Sequence, residues 1–256
     1  MGVEVTVKPH ITRLLRRNRF GASMLDLWRE FKVLFAVFRD PAKSLPFNGQ
    51  AARLRAVRDL LDLFEPDAVV ETGTGLGATT SFFAGNLLPV YSIELKRIFL
   101  VAARFRLRSY RNVTLILGSS PEVLHRLAGQ RLFQRPLAYL DAHWWESLPL
   151  QAEVRELLTG WGEVLILVDD FKVPLDAEYS FDTYAGVPVS VDVLELPSDV
   201  TVAFPAVPAK DETGEKRGTL YLAKGRTATA AVRELAARGL VSITPNAGPA
   251  PHSANS

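Results

Sequence analysis

Ala68-Val-Val-Glu71-Thr-Gly73-Thr-Gly75-Leu-Gly77-Ala78 is an apolar run that ends in a carboxylate, passes through three alternating glycines and opens into a helical stretch. Glycines permit positive φ and let a ligand approach bare backbone amides. In an open α/β sheet such ligands bind beyond the carboxyl ends of the strands. A dinucleotide fingerprint runs G-x-G-x-x-G, with pyrophosphate on a helix N-terminus. Here the order is Glu-x-Gly-x-Gly-x-Gly, and an acid at the strand end suits a cationic ligand. Taken alone, the turn is also compatible with glycine used only for close strand-to-helix packing.

Short apolar runs alternate with helical stretches on the C-terminal side of this turn, the pattern of βαβ units on a parallel sheet. The runs predict five parallel strands at Ala68–Glu71, Pro89–Glu94, Val113–Leu117, Leu137–Asp141 and Glu163–Asp169, with helices near 78–87, 97–109, 121–129 and 149–159. After Asp170 the alternation stops. Asp199–Pro205 and Gly218–Lys224 read as two further strands flanking the polar segment Lys210–Arg217, a hairpin connection or a flexible loop. On the N-terminal side, Leu54, Val57, Leu61 and Phe64 predict a helix over 50–64 that Pro66 ends. Met24, Leu27, Trp28, Phe31, Leu34, Phe35 and Phe38 give an amphipathic helix over Ala22–Arg39.

Composition bounds the rest. A chain of 256 residues, 48% hydrophobic and 23% charged, supplies one α/β domain with terminal decoration. We expect a basic arm and helical cap over 1–65, a catalytic domain over 66–225, a C-terminal helix and short extension over 226–244, and a Pro/Ala/Ser/Asn-rich tail over 245–256 that is disordered by itself. No apolar stretch approaches the roughly 20 residues that span a bilayer, and no signal sequence is evident, so a cytoplasmic location is expected. The absence of cysteine leaves only oxygen or imidazole ligands for any metal. Net charge is +2, yet the first twenty residues carry Lys8, Arg13, Arg16, Arg17 and Arg19 against Glu4. That arm is read as solvated, with contact to an anionic membrane surface as the alternative. No nucleic acid partner is expected, and the N-terminal helices are a candidate homo-oligomer interface.

Three further positions carry chemistry. Glu94 ends the second strand 19 residues after Gly75, where a carboxylate can accept hydrogen bonds from two ribose hydroxyls. Gly118-Ser119-Ser120-Pro121 can present Ser119 to an adenine edge or merely cap the next helix. Tyr139-Leu-Asp141-Ala-His143-Trp144 and Ile166-Leu-Val-Asp169-Asp170-Phe171 both end apolar runs in carboxylates. Parallel strand ends face one crevice, so Asp141, Asp169 and Asp170 can converge on a hard, oxygen-ligated cation such as Mg²⁺.

From about Ala68 to Gly225, roughly three fifths of the chain, this pattern resembles class I S-adenosylmethionine-dependent methyltransferases. The resemblance implies a Rossmann-like fold: a mostly parallel seven-stranded sheet with helices on both faces and an antiparallel final strand. It also implies S-adenosylmethionine held by Glu71, Gly73, Thr74, Gly75, Gly77, Glu94, Ser119 and Asp141. The acidic strand ends are similar to those of the metal-dependent catechol and antibiotic-sugar O-methyltransferases, in which Mg²⁺ takes two neighbouring substrate hydroxyls. Catechol enzymes read Asp-His-Trp-Lys with lysine as base. Here Asp141-Ala-His143-Trp144-Trp145-Glu146 has no lysine, and the sugar-modifying branch would place the base at His143. An unperturbed histidine, with a pKa of ~6.5, suits general-base work. The favoured expectation is O-methylation of a small hydroxylated molecule, a sugar or other vicinal diol, with Asp141 and His143 catalytic and Mg²⁺ on Asp141, Asp169 and Asp170. Alternatives are a metal-independent methyltransferase, a non-catalytic Rossmann-like adapter and a nicotinamide enzyme.

Overall fold

A computed structural model describes residues 45–142 and 148–244. The arm, the expected helix over Ala22–Arg39, His143, Trp144, Trp145 and the tail from residue 245 lie outside the described residues. Helix α1 (Ala51–Phe64) leads into β1 (Ala68–Thr72), α2 (Ala78–Gly85), β2 (Val90–Glu94), α3 (Arg97–Arg106), β3 (Val113–Leu117), α4 (Ser120–Gln130), β4 (Pro136–Leu140), α5 (Leu150–Gly160) and β5 (Val164–Val168). A two-stranded hairpin, β6 (Thr183–Tyr184) and β7 (Val187–Pro188), follows. Then come β8 (Thr201–Pro205), β9 (Leu220–Lys224), α6 (Arg226–Ala237) and β10 (Val241–Thr244).

The large sheet has the order β10-β8-β9-β5-β4-β1-β2-β3. β1 to β5 are mutually parallel, β9 runs antiparallel to β5, and β8 and β10 continue the antiparallel edge. The sheet thus has eight strands, one more than the sequence suggests, because the short extension after α6 pairs with β8. Strand order reverses between β1 and β4, which places a crevice at their carboxyl ends.

Each central strand is buried on both faces, which is why it reads as a continuous apolar run. Val70, Ala138, Leu140, Ile166 and Val168 face α4 and α5 through Leu124, Leu127, Val154 and Leu157. Val69, Leu137, Tyr139, Leu165 and Leu167 face the opposite layer, built from α1, α2 and α6 through Val57, Leu60, Phe83, Val232 and Leu235. α1 therefore packs on the same sheet as the rest of the layer, with its amino end brought to the crevice.

That amino end is fixed by the connection between β8 and β9. Glu212 accepts the amides of Ala52 and Arg53 (3.0 and 3.2 Å), Thr213 Oγ1 accepts that of Ala51 (2.8 Å), and Gln50 exchanges two hydrogen bonds with the backbone of Arg217 (2.8 and 3.0 Å). The segment Lys210–Arg217 is the hairpin connection of the two alternatives, and it caps α1 from outside.

Candidate active site at the carboxyl ends of the strands

Backbone hydrogen bonding carries the parallel ladder one residue past each strand. Gly73 N–H donates to Ile93 O (2.9 Å), Gly118 N–H to Glu94 O (3.0 Å), Asp141 N–H to Thr72 O (2.9 Å) and Asp169 N–H to Leu140 O (2.9 Å). Gly73, Glu94, Gly118, Asp141 and Asp169 consequently form one rim. The glycine turn is tight where it must be: at Gly73 (φ 81°) a Cβ would lie 2.2 Å from Asp141 O. At Gly75 it is open, since an added Cβ would meet nothing within 4 Å. Among the described residues the turn thus leaves a cradle in which a ligand could approach the main chain at Gly75.

Two acids shape this cradle. Glu94 accepts the amides of Gly75 (3.0 Å) and Lys96 (2.8 Å), so its carboxylate is drawn to the turn. Glu71 is 1% exposed, and its Oε2 accepts hydroxyl protons from Thr80 and Ser92 (both 2.5 Å). Ser92 spends its only proton on Glu71, so Thr74 Oγ1 donates in the 2.7 Å contact with Ser92. Burial pushes the Glu71 carboxyl from an ordinary 4.5 up to about 7; the two hydroxyls pull it down and Glu94 pushes it further up. Gly77 lies against Leu107 of the α3 terminus, and α4 begins after Ser119, whose hydroxyl makes no capping bond.

At the β5 end Asp169 is 2% exposed and receives four donors among the described residues. Oδ1 takes Arg53 Nη1 and the Asp170 amide (2.8 Å); Oδ2 takes Tyr139 Oη (2.6 Å) and Asn48 Nδ2 (3.1 Å). Burial alone would raise this carboxyl, but Arg53 and the Tyr139 hydroxyl outweigh it and hold it below the ordinary range. Asp141 goes the other way: burial, with Asp169, Asp170 and Glu71 adding repulsion, holds it well above that range. Asp170 has a left-handed backbone (φ 54°) and receives Arg217 Nε at 2.5 Å, while Arg217 Nη2 reaches Asp182. Of the acidic and aromatic residues in the segment following β5, Asp182 and Tyr184 turn to this corner. Tyr179 instead buries itself and donates to Val207 O (2.8 Å), and Asp176 accepts the amides of Glu178 and Ala209.

The expected Mg²⁺ site is not what this donor set forms. The lone pairs of Asp169 are directed to protein donors, Asp170 is paired with a guanidinium, and among the described residues no three acidic or histidine side chains are grouped to hold a metal ion. The physical reason is an internal cation, Arg53, that sequence reading passed over together with Asn48, Tyr139 and Arg217. A signal was available for Arg53. It shares the 53–57–60–64 stripe with Val57, Leu60 and Phe64, the buried face of α1, and a cation on such a stripe needs a buried partner.

No family model matches the chain. Curated relatives match only short stretches: 44% identity over 63 residues to protein-L-isoaspartate O-methyltransferase 1 of Polaromonas sp., covering 24% of this chain and 27% of that protein. The other is 32% identity over 65 residues to ribosomal RNA small subunit methyltransferase A of Syntrophus aciditrophicus, covering 25% and 23%. The chain thus spans about a quarter of the length of these relatives. Among solved structures, an O-methyltransferase from Bacillus cereus in complex with S-adenosylhomocysteine superposes with a TM-score of 0.51 at 14% identity, over 86% of this chain and 93% of that one. A candidate O-methyltransferase from Klebsiella pneumoniae gives 0.50 at 20% identity, over 87% and 93%. The fold is the Rossmann-like fold of these O-methyltransferases.

Proposed function

We propose that this chain transfers the methyl group of S-adenosylmethionine to a hydroxyl of a small molecule, a sugar or other vicinal diol. The observation that carries the reading is the rim itself: an open glycine turn at Gly75 flanked by the carboxyl groups of Glu71, Glu94 and Asp141 at three adjoining strand ends. The donor brings an electrophilic methyl on a sulfonium and a second positive charge on its ammonium. Acidic groups at the strand ends suit both. In this reading Glu94 takes the ribose hydroxyls, Glu71 and Asp141 the charged methionyl end, the backbone from Gly73 to Gly77 the close approach, and Ser119 the adenine edge. Matches to relatives named for a protein acceptor and for an RNA acceptor also favour methyl transfer as the shared element, with the acceptor set elsewhere.

Chemistry at the acceptor is an in-line displacement: the acceptor oxygen forms a bond to the methyl carbon as the carbon–sulfur bond breaks, and the hydroxyl proton passes to a base. His143 is the proposed base, two residues beyond Asp141. Because the carboxylates do not fit Mg²⁺, no step is assigned to a metal.

Calorimetric titration with S-adenosylhomocysteine tests the donor half. One saturable site is expected, and Glu94→Gln should weaken it about tenfold, the loss of one hydrogen bond to a charged group. Wild-type protein that binds no S-adenosylhomocysteine would end the proposal.

A further inference from the structure

We propose that Arg53 takes the place of a divalent cation in this protein, so that its guanidinium is the fixed positive charge among the strand-end carboxylates and the site works without a metal. The inference deepens the methyltransferase reading and rests on it only for the statement about catalysis; the statement about charge rests on geometry alone.

A carboxylate has about four lone-pair positions, and those of Asp169 are directed to Arg53, Tyr139, Asn48 and its own neighbour's amide. A hard cation requires six or more oxygen ligands at roughly 2.0–2.6 Å. Asp169 can join such a shell only by releasing the guanidinium, since a dication and a guanidinium cannot share one carboxylate in a buried site without strong repulsion. Asp170 has its own guanidinium, and Arg217 bridges it to Asp182. Of the three expected ligands, among the described residues only Asp141 is left without an arginine, and a single carboxylate leaves nearly the whole shell of a hard cation to water, which makes for weak binding.

Arg53 is also held as a metal would be, by groups that do not move with the side chain. Its Nη2 donates to the carbonyl oxygens of Arg217 and Gly218, the same segment whose Glu212 caps α1 and whose Arg217 backbone pairs with Gln50. A planar fork with two donors on the backbone and one on Asp169 has one allowed orientation. Asn48 reaches Asp169 from a turn in which Phe47 and Asn48 both take left-handed backbone (φ 55° and 57°), anchored by Phe47 among Phe82, Phe83 and Tyr139. Backbone of this kind persists where the surroundings over-determine it. Arg53 is thus a positioning residue: it fixes Asp169 and, with it, the end of β5. It offers no vacant coordination place, so it cannot activate an acceptor hydroxyl by binding it, and deprotonation is left to a base.

Terbium(III) luminescence tests the charge, because Tyr139 lies against Asp169 and would sensitise an ion bound there. Full-length wild-type protein, treated with chelator and dialysed, should give no saturable terbium signal, and its S-adenosylhomocysteine affinity should change by less than about twofold with excess Mg²⁺ or EDTA. Arg53→Met should gain a terbium site that Asp169→Asn, added to it, removes. Arg53→Lys, which keeps the charge, should fold and bind none. Saturable terbium or Mg²⁺ binding by the wild type that Asp169→Asn abolishes overturns the proposal, as does a terbium site in Arg53→Lys. Failure of S-adenosylhomocysteine to bind at all would instead defeat the methyltransferase reading and leave the result on the cation intact.

Discussion

Replacing Glu71 by glutamine should make the ligand-free protein more stable at alkaline pH while weakening its grip on the methyl donor. The Glu71 carboxyl is buried, meets among the described residues only the neutral hydroxyls of Thr80 and Ser92, and is pushed up to about 7 from an ordinary 4.5. Between these values the folded protein holds a proton that the unfolded chain has released. Its contribution is therefore fully present below pH 4.5 and is lost as pH rises through about 7. That interval corresponds to about 3 kcal/mol, of which about 2.5 kcal/mol falls between pH 5 and pH 8. Glutamine matches the protonated acid in shape, can still accept from both hydroxyls, and does not titrate. Urea unfolding of ligand-free wild type and Glu71→Gln should thus diverge from pH 5 to pH 8. With an m-value of about 2–3 kcal/mol/M, the variant's midpoint should rise by roughly 1 M relative to wild type. The affinity of S-adenosylmethionine should show the opposite preference: in the wild type it should strengthen from pH 6 to pH 8 as Glu71 ionises, and in the variant the pH dependence should be smaller, what remains belonging to Asp141, whose carboxyl is also raised. Stability differences that do not depend on pH would refute the argument, since they would mean that Glu71 is already ionised in the folded state at pH 5.

Two other substitutions bear on the rim. Gly73→Ala puts a Cβ 2.2 Å from the Asp141 carbonyl at φ 81°, so the turn and β4 must separate; S-adenosylhomocysteine binding should vanish in calorimetry, with a stability loss of about 3 kcal/mol or more. Tyr139→Phe removes the 2.6 Å hydroxyl donor to Asp169 without leaving a cavity, and urea unfolding at pH 7 should show a loss of about 1.5–3 kcal/mol.

Much of the scaffold was legible because its strands are buried on both faces and are bounded by glycine or carboxylate. The carboxyl end of the doubly buried β4 shifts by only one residue, with Asp141 continuing the ladder without belonging to the strand; the edge strand Val113–Leu117, only partly buried, still has the bounds that its apolar run suggests. β10 was harder. Val241-Ser-Ile-Thr244 is four residues long with two of them exposed, and only its antiparallel partner β8 makes it a strand. The rim was legible in part. Position along the chain places Glu71, Glu94, Asp141, Asp169 and Asp170 at strand ends, but it says nothing of what neutralises them. Arg53 lies 116 residues from Asp169, and Arg217 lies 47 from Asp170. Contacts at such separations follow from how α1 and the β8–β9 connection return to the crevice, which periodicity does not encode.

The two fully buried acids of the rim show why the distinction matters for function. Glu71 and Asp169 are equally removed from water, yet one is pushed up to about 7 and the other is held below the ordinary range. Burial is the first contribution in both. What separates them is that Asp169 has a guanidinium within hydrogen-bonding reach, whereas Glu71 has only hydroxyls and the repulsion of Glu94. Asp169 is thereby committed to the scaffold, because a cationic ligand would have to displace a cation already seated there. Glu71 and Asp141 have no such partner among the described residues, and both are raised, so each gains by meeting a positive charge. A cationic ligand at this crevice should therefore be drawn to the β1 and β4 ends and away from β5. That is where a sulfonium and an ammonium would lie if the glycine turn holds the methyl donor, and it leaves the β5 corner, with Asp170, Arg217 and Tyr184, to the acceptor.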